Sequence, residues 1–136
     1  MSSIVFNGSY ITNKNTGIGV VSRDLLNSLS AENITSLVPK DIGINGDIYI
    51  PNNLSPGQGL KNHFRRFYWL QKVVPTIMNK LNAEYFFSPL LEAPLFTNVK
   101  SIVLAHDLIP LRYPSVSFLT LYHLTYVPLI LKQSKI

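Results

Sequence analysis

Ser101-Ile102-Val103-Leu104-Ala105-His106-Asp107-Leu108-Ile109-Pro110-Leu111-Arg112-Tyr113-Pro114 is the stretch on which the fold turns. Five small or apolar residues lead into a loop punctuated by two prolines. Such a run reads as a buried strand. A histidine just past its carboxyl end stands where open α/β sheets place their ligand crevice. The chain opens on a second piece of the same kind. Strand-like Ile4-Val5-Phe6 passes through a polar loop over 9–16 to Thr16-Gly17-Ile18-Gly19 and an amphipathic helix.

Outward from these two pieces the pattern alternates. Residues 18–30 read as a helix, with Ile18, Val21, Leu25 and Leu29 recurring on one face and Thr16 as the N-cap. Residues 34–38 read as a second strand closed by Pro39, with a short strand over 47–50. A loop over 51–60 carries Pro51, Pro56, Gly57 and Gly59. A helix is expected from His63 to Leu81, its apolar stripe being Phe67, Leu70, Val74, Ile77 and Leu81. Pro75 should kink or divide it. Tyr85-Phe86-Phe87 is the next strand, ended by Ser88-Pro89. The strand over 101–105 follows, and a last helix runs from near Val116 to Gln133. Buried-type strands alternating with helices predict an α/β, Rossmann-like three-layer sandwich with a mostly parallel sheet.

Composition narrows the function classes. The 136 residues form a single domain, and 46% hydrophobic against 14% charged residues exclude a disordered chain. A mean hydropathy of +0.18 is high for a free-standing globular domain, so apolar surface is expected to meet a partner or a further domain. The absence of cysteine excludes a disulfide frame and a thiolate metal site, and agrees with a reducing compartment. A formal charge of +5 favours an anionic partner. The longest apolar stretch, Phe118 to Leu131, is interrupted by Thr120, His123, Thr125 and Pro128, too mixed for a membrane span. The amino terminus lacks the basic segment of a signal peptide.

Three pieces carry chemistry. Gly17-Ile18-Gly19 at a helix start presents N–H groups and a dipole that favour an anion, although taken alone a plain tight turn into the helix is the better account. Gly17, Gly19 and Ser22 also fit dinucleotide-fingerprint spacing, with Asp41 at the interval of a ribose contact. The long loop between strand and helix argues against that assignment. His106 sits at a strand end beside Asp107, which could orient the imidazole or cap the following turn. The basic, aromatic segment 61–72 could meet a membrane or RNA, but amphipathicity alone explains it as a helix burying Phe67 and Leu70 with its arginines in water. His63, His106 and His123 are far apart in sequence, so no metal site and no cofactor is expected.

Taken together these pieces resemble the amino-terminal half of glycosyltransferase family 4 enzymes, which have the GT-B fold. Asn15-Thr16-Gly17-Ile18-Gly19 with Val20 to Leu26 is similar to that family's glycine loop and first helix. Ala83-Glu84-Tyr85-Phe86-Phe87-Ser88-Pro89 is similar to a family strand end, with Ser88 where many relatives carry histidine. Ile102 to Pro114 resembles the family's H-D-L-x-P-L-x-x-P signature. The resemblance implies an acceptor-side domain over 1–136, inactive alone, with a separate carboxyl-terminal domain binding the donor. It implies retaining, metal-independent transfer from a nucleotide-sugar donor to a glycan or lipid-linked acceptor. It points to His106 as the catalytic residue facing the donor sugar, and to Gly17, Ile18, Gly19 and Asp107 as substrate-binding. The expected setting is the cytoplasm, at the inner face of a membrane where the acceptor is lipid-linked, with no nucleic acid involved. The alternative from another class is a non-catalytic α/β module that binds an anionic membrane surface or a protein partner.

Overall fold

The computed structural model describes residues 3–14, 16–29, 33–54, 59–106, 112–113 and 115–134. Five strands form one sheet: β1 (Ile4–Asn7), β2 (Ile34–Pro39), β3 (Ile48–Ile50), β4 (Tyr85–Ser88) and β5 (Lys100–Val103). Their order is β3-β2-β1-β4-β5 and every pairing is parallel. The fold is therefore α/β, as the alternation of apolar runs predicts.

Strands β1, β2 and β3 step one way across the sheet, and β4 returns to the far side of β1. The β1-to-β2 crossover carries helix α1 (Gly17–Ser28). The β3-to-β4 crossover carries α2 (Leu60–Tyr68), a π-helical turn (Trp69–Val73) and α3 (Val74–Leu81). Crossovers between parallel strands are right-handed as a rule, so two that run in opposite directions across the sheet put their helices on opposite faces. Helix α4 (Phe118–Gln133) follows β5, capped by Ser117, whose side chain accepts from the Thr120 N–H.

Laterally paired residues share a face of the sheet. Val5 is in register with Phe86, and Asn7 with Leu37. Val5, Leu37 and Phe86 are fully buried and meet Trp69, Leu70, Val74 and Met78 in the main core. Pro75 divides the long helix as its sequence predicts. It falls in the first turn of α3, and the turn before it widens to π geometry. Proline lacks the N–H that would close the preceding turn, and π-bulges recur at such interruptions.

Helix α1 departs from expectation. Its buried residues are Gly19 and Ser22, whereas Ile18 and Val21 are each 37% exposed. The face that docks is the one with the smallest side chains. A Cβ on Gly19 would stand 2.9 Å from Thr16 Oγ1 and 3.3 Å from the Tyr10 carbonyl oxygen. Thr16 caps the helix, its Oγ1 accepting from the Gly19 N–H at 3.2 Å. The loop before it is not simply solvated either. Ser9 and Ile11 are fully buried and Tyr10 is nearly so.

The two glycines thus differ. Gly19→Ala should displace the Thr16 cap and cost about 1 kcal/mol of stability. A Cβ on Gly17 would meet no atom within 4 Å. Gly17→Ala should be neutral or stabilising, by up to about 1 kcal/mol. Urea unfolding of the two variants checks the contrast, and equal losses would refute it.

Candidate functional site

The sheet order places a topological switch between β1 and β4. In open α/β sheets the crevice outside the carboxyl ends of such strands is the usual ligand site. Asn7 and Ser88 end these two strands, and both are fully buried. Asn7 Nδ2 donates to Ser88 Oγ at 3.3 Å. Asn7 Oδ1 accepts from the Ser9 hydroxyl at 2.6 Å and from the Ser9 N–H at 3.2 Å.

From Ser9 the network reaches helix α2. Arg66 Nη2 donates to Ser9 Oγ at 2.8 Å, and Arg66 Nη1 to the Leu54 carbonyl at 2.7 Å. Glu92, on the loop after β4, takes the rest of the guanidinium. Its Oε2 lies 2.8 Å from Arg66 Nε and 2.7 Å from Nη2. Tyr10 donates its hydroxyl to Glu92 Oε1. The guanidinium carbon sits 3.8 Å above the Tyr10 ring. Burial opposes the charge on Arg66, but the Glu92 carboxylate and then Tyr10 outweigh it and hold its pKa above the ordinary arginine value.

A second set of bonds fixes the loop over 90–96. Gln71 Oε1 accepts from the Leu95 N–H at 2.7 Å. The Ala93 carbonyl accepts from Tyr126 at 2.6 Å and from Gln71 at 3.2 Å. Tyr122 donates to the Leu91 carbonyl, and Gln133 Nε2 to the Pro94 carbonyl. A loop without ladder bonds thus has its backbone groups satisfied by side chains from the π turn and α4. Burial raises the pKa of both Tyr122 and Tyr126, with the Glu92 charge adding to it.

Above this floor lies a cleft of about 990 Å³. Its walls are α2, the 90–96 loop and α4, and its lining is mostly apolar, with Tyr10, Arg66 and Glu92 at the base. Ile18, from the glycine turn, and His106, from the loop after β5, both line it. His106 is exposed, and its Nε2 stands 2.6 Å from the Pro89 carbonyl. A carbonyl can only accept, so Nε2 carries the proton and Nδ1 remains as the ring's other polar atom. Gly17 is exposed at the helix start, whereas Gly19 is buried against the Tyr10 carbonyl with its N–H used by the cap. The N–H groups of Gly17 and Ile18 are the ones in this first turn that lack an acceptor within the helix by geometry. Asp107 lies outside the described residues. The three histidines, distant in sequence, all line this one cleft.

Three readings from sequence need correction or completion. Segment 61–72 buries Leu70 as expected, but it exposes Phe67 and turns Arg66 inward. Arg66 is 4% exposed, whereas Phe67 is 45% and Phe64 65% exposed. The buried ion pair at the cleft floor has no local signal, since Arg66 and Glu92 lie on separate elements. Ser88, at the end of β4, serves the floor. It accepts from Asn7 and the Leu90 N–H and does not line the cleft. Asp41 hydrogen-bonds Asn52 through both side chain and backbone, closing the loop between β2 and β3.

Comparison with known proteins finds no match: no family model, no curated protein and no solved structure aligns with the chain. Among the described residues no helix is long and apolar enough to cross a membrane.

Breaking a buried pair by removing one partner strands a charge, at about 3–5 kcal/mol. Arg66→Met should therefore destabilise strongly, and adding Glu92→Leu should recover part of the loss. Urea unfolding of the cycle checks this, and simple additivity would refute the coupling. Tyr10 supplies a pH prediction. Burial, then the Glu92 charge, push its phenol well above the ordinary value of 10.0. Above that pH the unfolded chain releases a proton that the folded chain keeps. Stability from Tyr10 is thus full below about pH 10 and is lost as pH rises further. Tyr10→Phe should flatten the alkaline decline seen by denaturation at stepped pH.

Proposed function

We propose that this chain is the acceptor-side domain of a retaining, metal-independent glycosyltransferase of the GT-B type. It would act with a donor-binding domain to move a sugar from a nucleotide-sugar to a glycan or lipid-linked acceptor. The observation that supports this reading is the convergence of Ile18 and His106 on one cleft at the switch point of a parallel sheet. The sequence segments resembling the family's glycine loop and histidine signature are the ones that supply those two residues.

The chemistry assigned to each part follows from its surroundings. Nε2 of His106 is held by the Pro89 carbonyl. The ring is thereby oriented, and Nδ1 is left to meet a sugar hydroxyl. The N–H groups of Gly17 and Ile18 offer positive partial charge where a leaving diphosphate gains negative charge. The open space beside Gly17 lets a ligand oxygen approach the backbone. The apolar walls exclude water from the transfer and seat the acceptor. Arg66 is committed to Glu92 and Ser9, so the basic residues that hold the diphosphate would come from the donor domain.

The experiment joins the chain to the donor-binding half of a family 4 enzyme. Release of nucleoside diphosphate is followed across a panel of nucleotide sugars and acceptors. Transfer should appear with the unaltered chain. It should fall on the order of 10²-fold or more with His106→Ala, as when a transition-state hydrogen bond is removed. Full activity of that variant, with an unchanged unfolding midpoint, would remove His106 from the mechanism.

A further inference from the structure

We infer that the face formed by α2, the 90–96 loop and α4 docks on an anionic lipid surface, with the cleft opening toward the acyl chains. Helix α2 is inverted relative to an ordinary surface helix. It buries Asn62 and Arg66 and turns its apolar residues outward. Leu60 is 57%, Phe64 65% and Phe67 45% exposed. Across the opening stand Leu121 at 58%, Leu129 at 43% and Phe96 at 89% exposed. All six line the one cleft. Phe96 has a left-handed backbone, with φ 54°, at the end of a loop bonded on both sides. That conformation is unfavourable for an aromatic residue, and here it presents a ring to solvent. A contiguous apolar face of this kind marks an interaction site.

Charge selects the occupant. The chain carries no acidic residue between Asp47 and Glu84, or after Asp107. Both helical walls therefore lack carboxylates, and Glu92 between them is committed to Arg66. Exposed Lys61 and Lys72, with half-buried Arg65, flank the apolar residues on one side, and Lys132 lies on α4. Aromatic and aliphatic groups bordered by cations suit the headgroup boundary of an anionic bilayer. A second copy of this face would bring like charges together. A flat protein surface would leave the concavity of about 990 Å³ unfilled, whereas an acyl chain enters it.

Vesicle binding needs no sugar donor, so it is separable from the transfer reading. The 136-residue chain is sedimented with phosphatidylcholine vesicles, with and without about one-third phosphatidylglycerol. Binding should require the anionic lipid and weaken as salt rises from about 0.1 to about 1 M. Phe64→Ser should lower partitioning about tenfold through lost apolar burial. Lys61→Gln should lower it about fivefold, the worth of one surface cation. Tyr49→Ser, exposed on β3 and outside the cleft lining, should change nothing. Circular dichroism confirms that the variants stay folded. Binding indifferent to anionic lipid, or unaffected by Phe64→Ser, overturns the inference. So does an absence of vesicle binding combined with a dimer in ultracentrifugation that Phe64→Ser abolishes.

Discussion

The ion pair between Arg66 and Glu92 is the constraint around which the molecule is organised. It ties together four segments at the carboxyl ends of the strands. Arg66 comes from α2, Glu92 from the loop after β4, Ser9 and Tyr10 from the loop after β1, and the Leu54 carbonyl from the turn after β3. With side chains only 5% and 14% exposed, the pair forfeits most of its hydration. Such a pair is tolerable only when its remaining hydrogen-bonding groups are satisfied. The Ser9 hydroxyl, the Leu54 carbonyl and the Tyr10 hydroxyl meet that requirement. The result is a fully bonded polar base under the sheet's switch point.

Side-chain bonds extend outward from this base. Gln71 and Tyr126 hold the Ala93 region, and Tyr122 and Gln133 hold its two flanks. The 90–96 loop has no ladder, yet α4 and the π turn fasten it. His106 adds one more tie, from the loop after β5 to Pro89 beside β4. The two loops that bound the cleft on this side are thereby tied to each other. A site that must hold a ligand in one orientation benefits from such ties.

The layered fold was legible because its signals are local. Each run read as a strand became one, three to six residues long, and Pro75 marked the division of the long helix. The Thr16 cap was legible for the same reason, since capping acts over three residues. The docking face of α1 was not. Periodicity selects the largest apolar residues, but close approach to the Tyr10 carbonyl favours the smallest, Gly19 and Ser22. The cleft floor was not legible either. No local pattern distinguishes the arginine that turns inward, Arg66, from its neighbour Arg65. The distinction is made by Glu92, twenty-six residues away along the chain.

That distinction fixes the outer surface as well. A helix advances about 100° per residue, so Leu60, Phe64, Phe67 and Tyr68 all lie about 100–200° around α2 from Arg66. Once Arg66 faces inward to meet Glu92, those four must face out. Rotating the helix to bury Phe64 would drag the guanidinium into water and leave the carboxylate unpaired at the base. One buried interaction thus sets two properties at once. It closes the floor of the cleft with a polar network, and it turns the apolar side of α2 toward solvent. The exposure of Phe64 is a consequence of how the floor is built, and it persists for as long as that pair is intact.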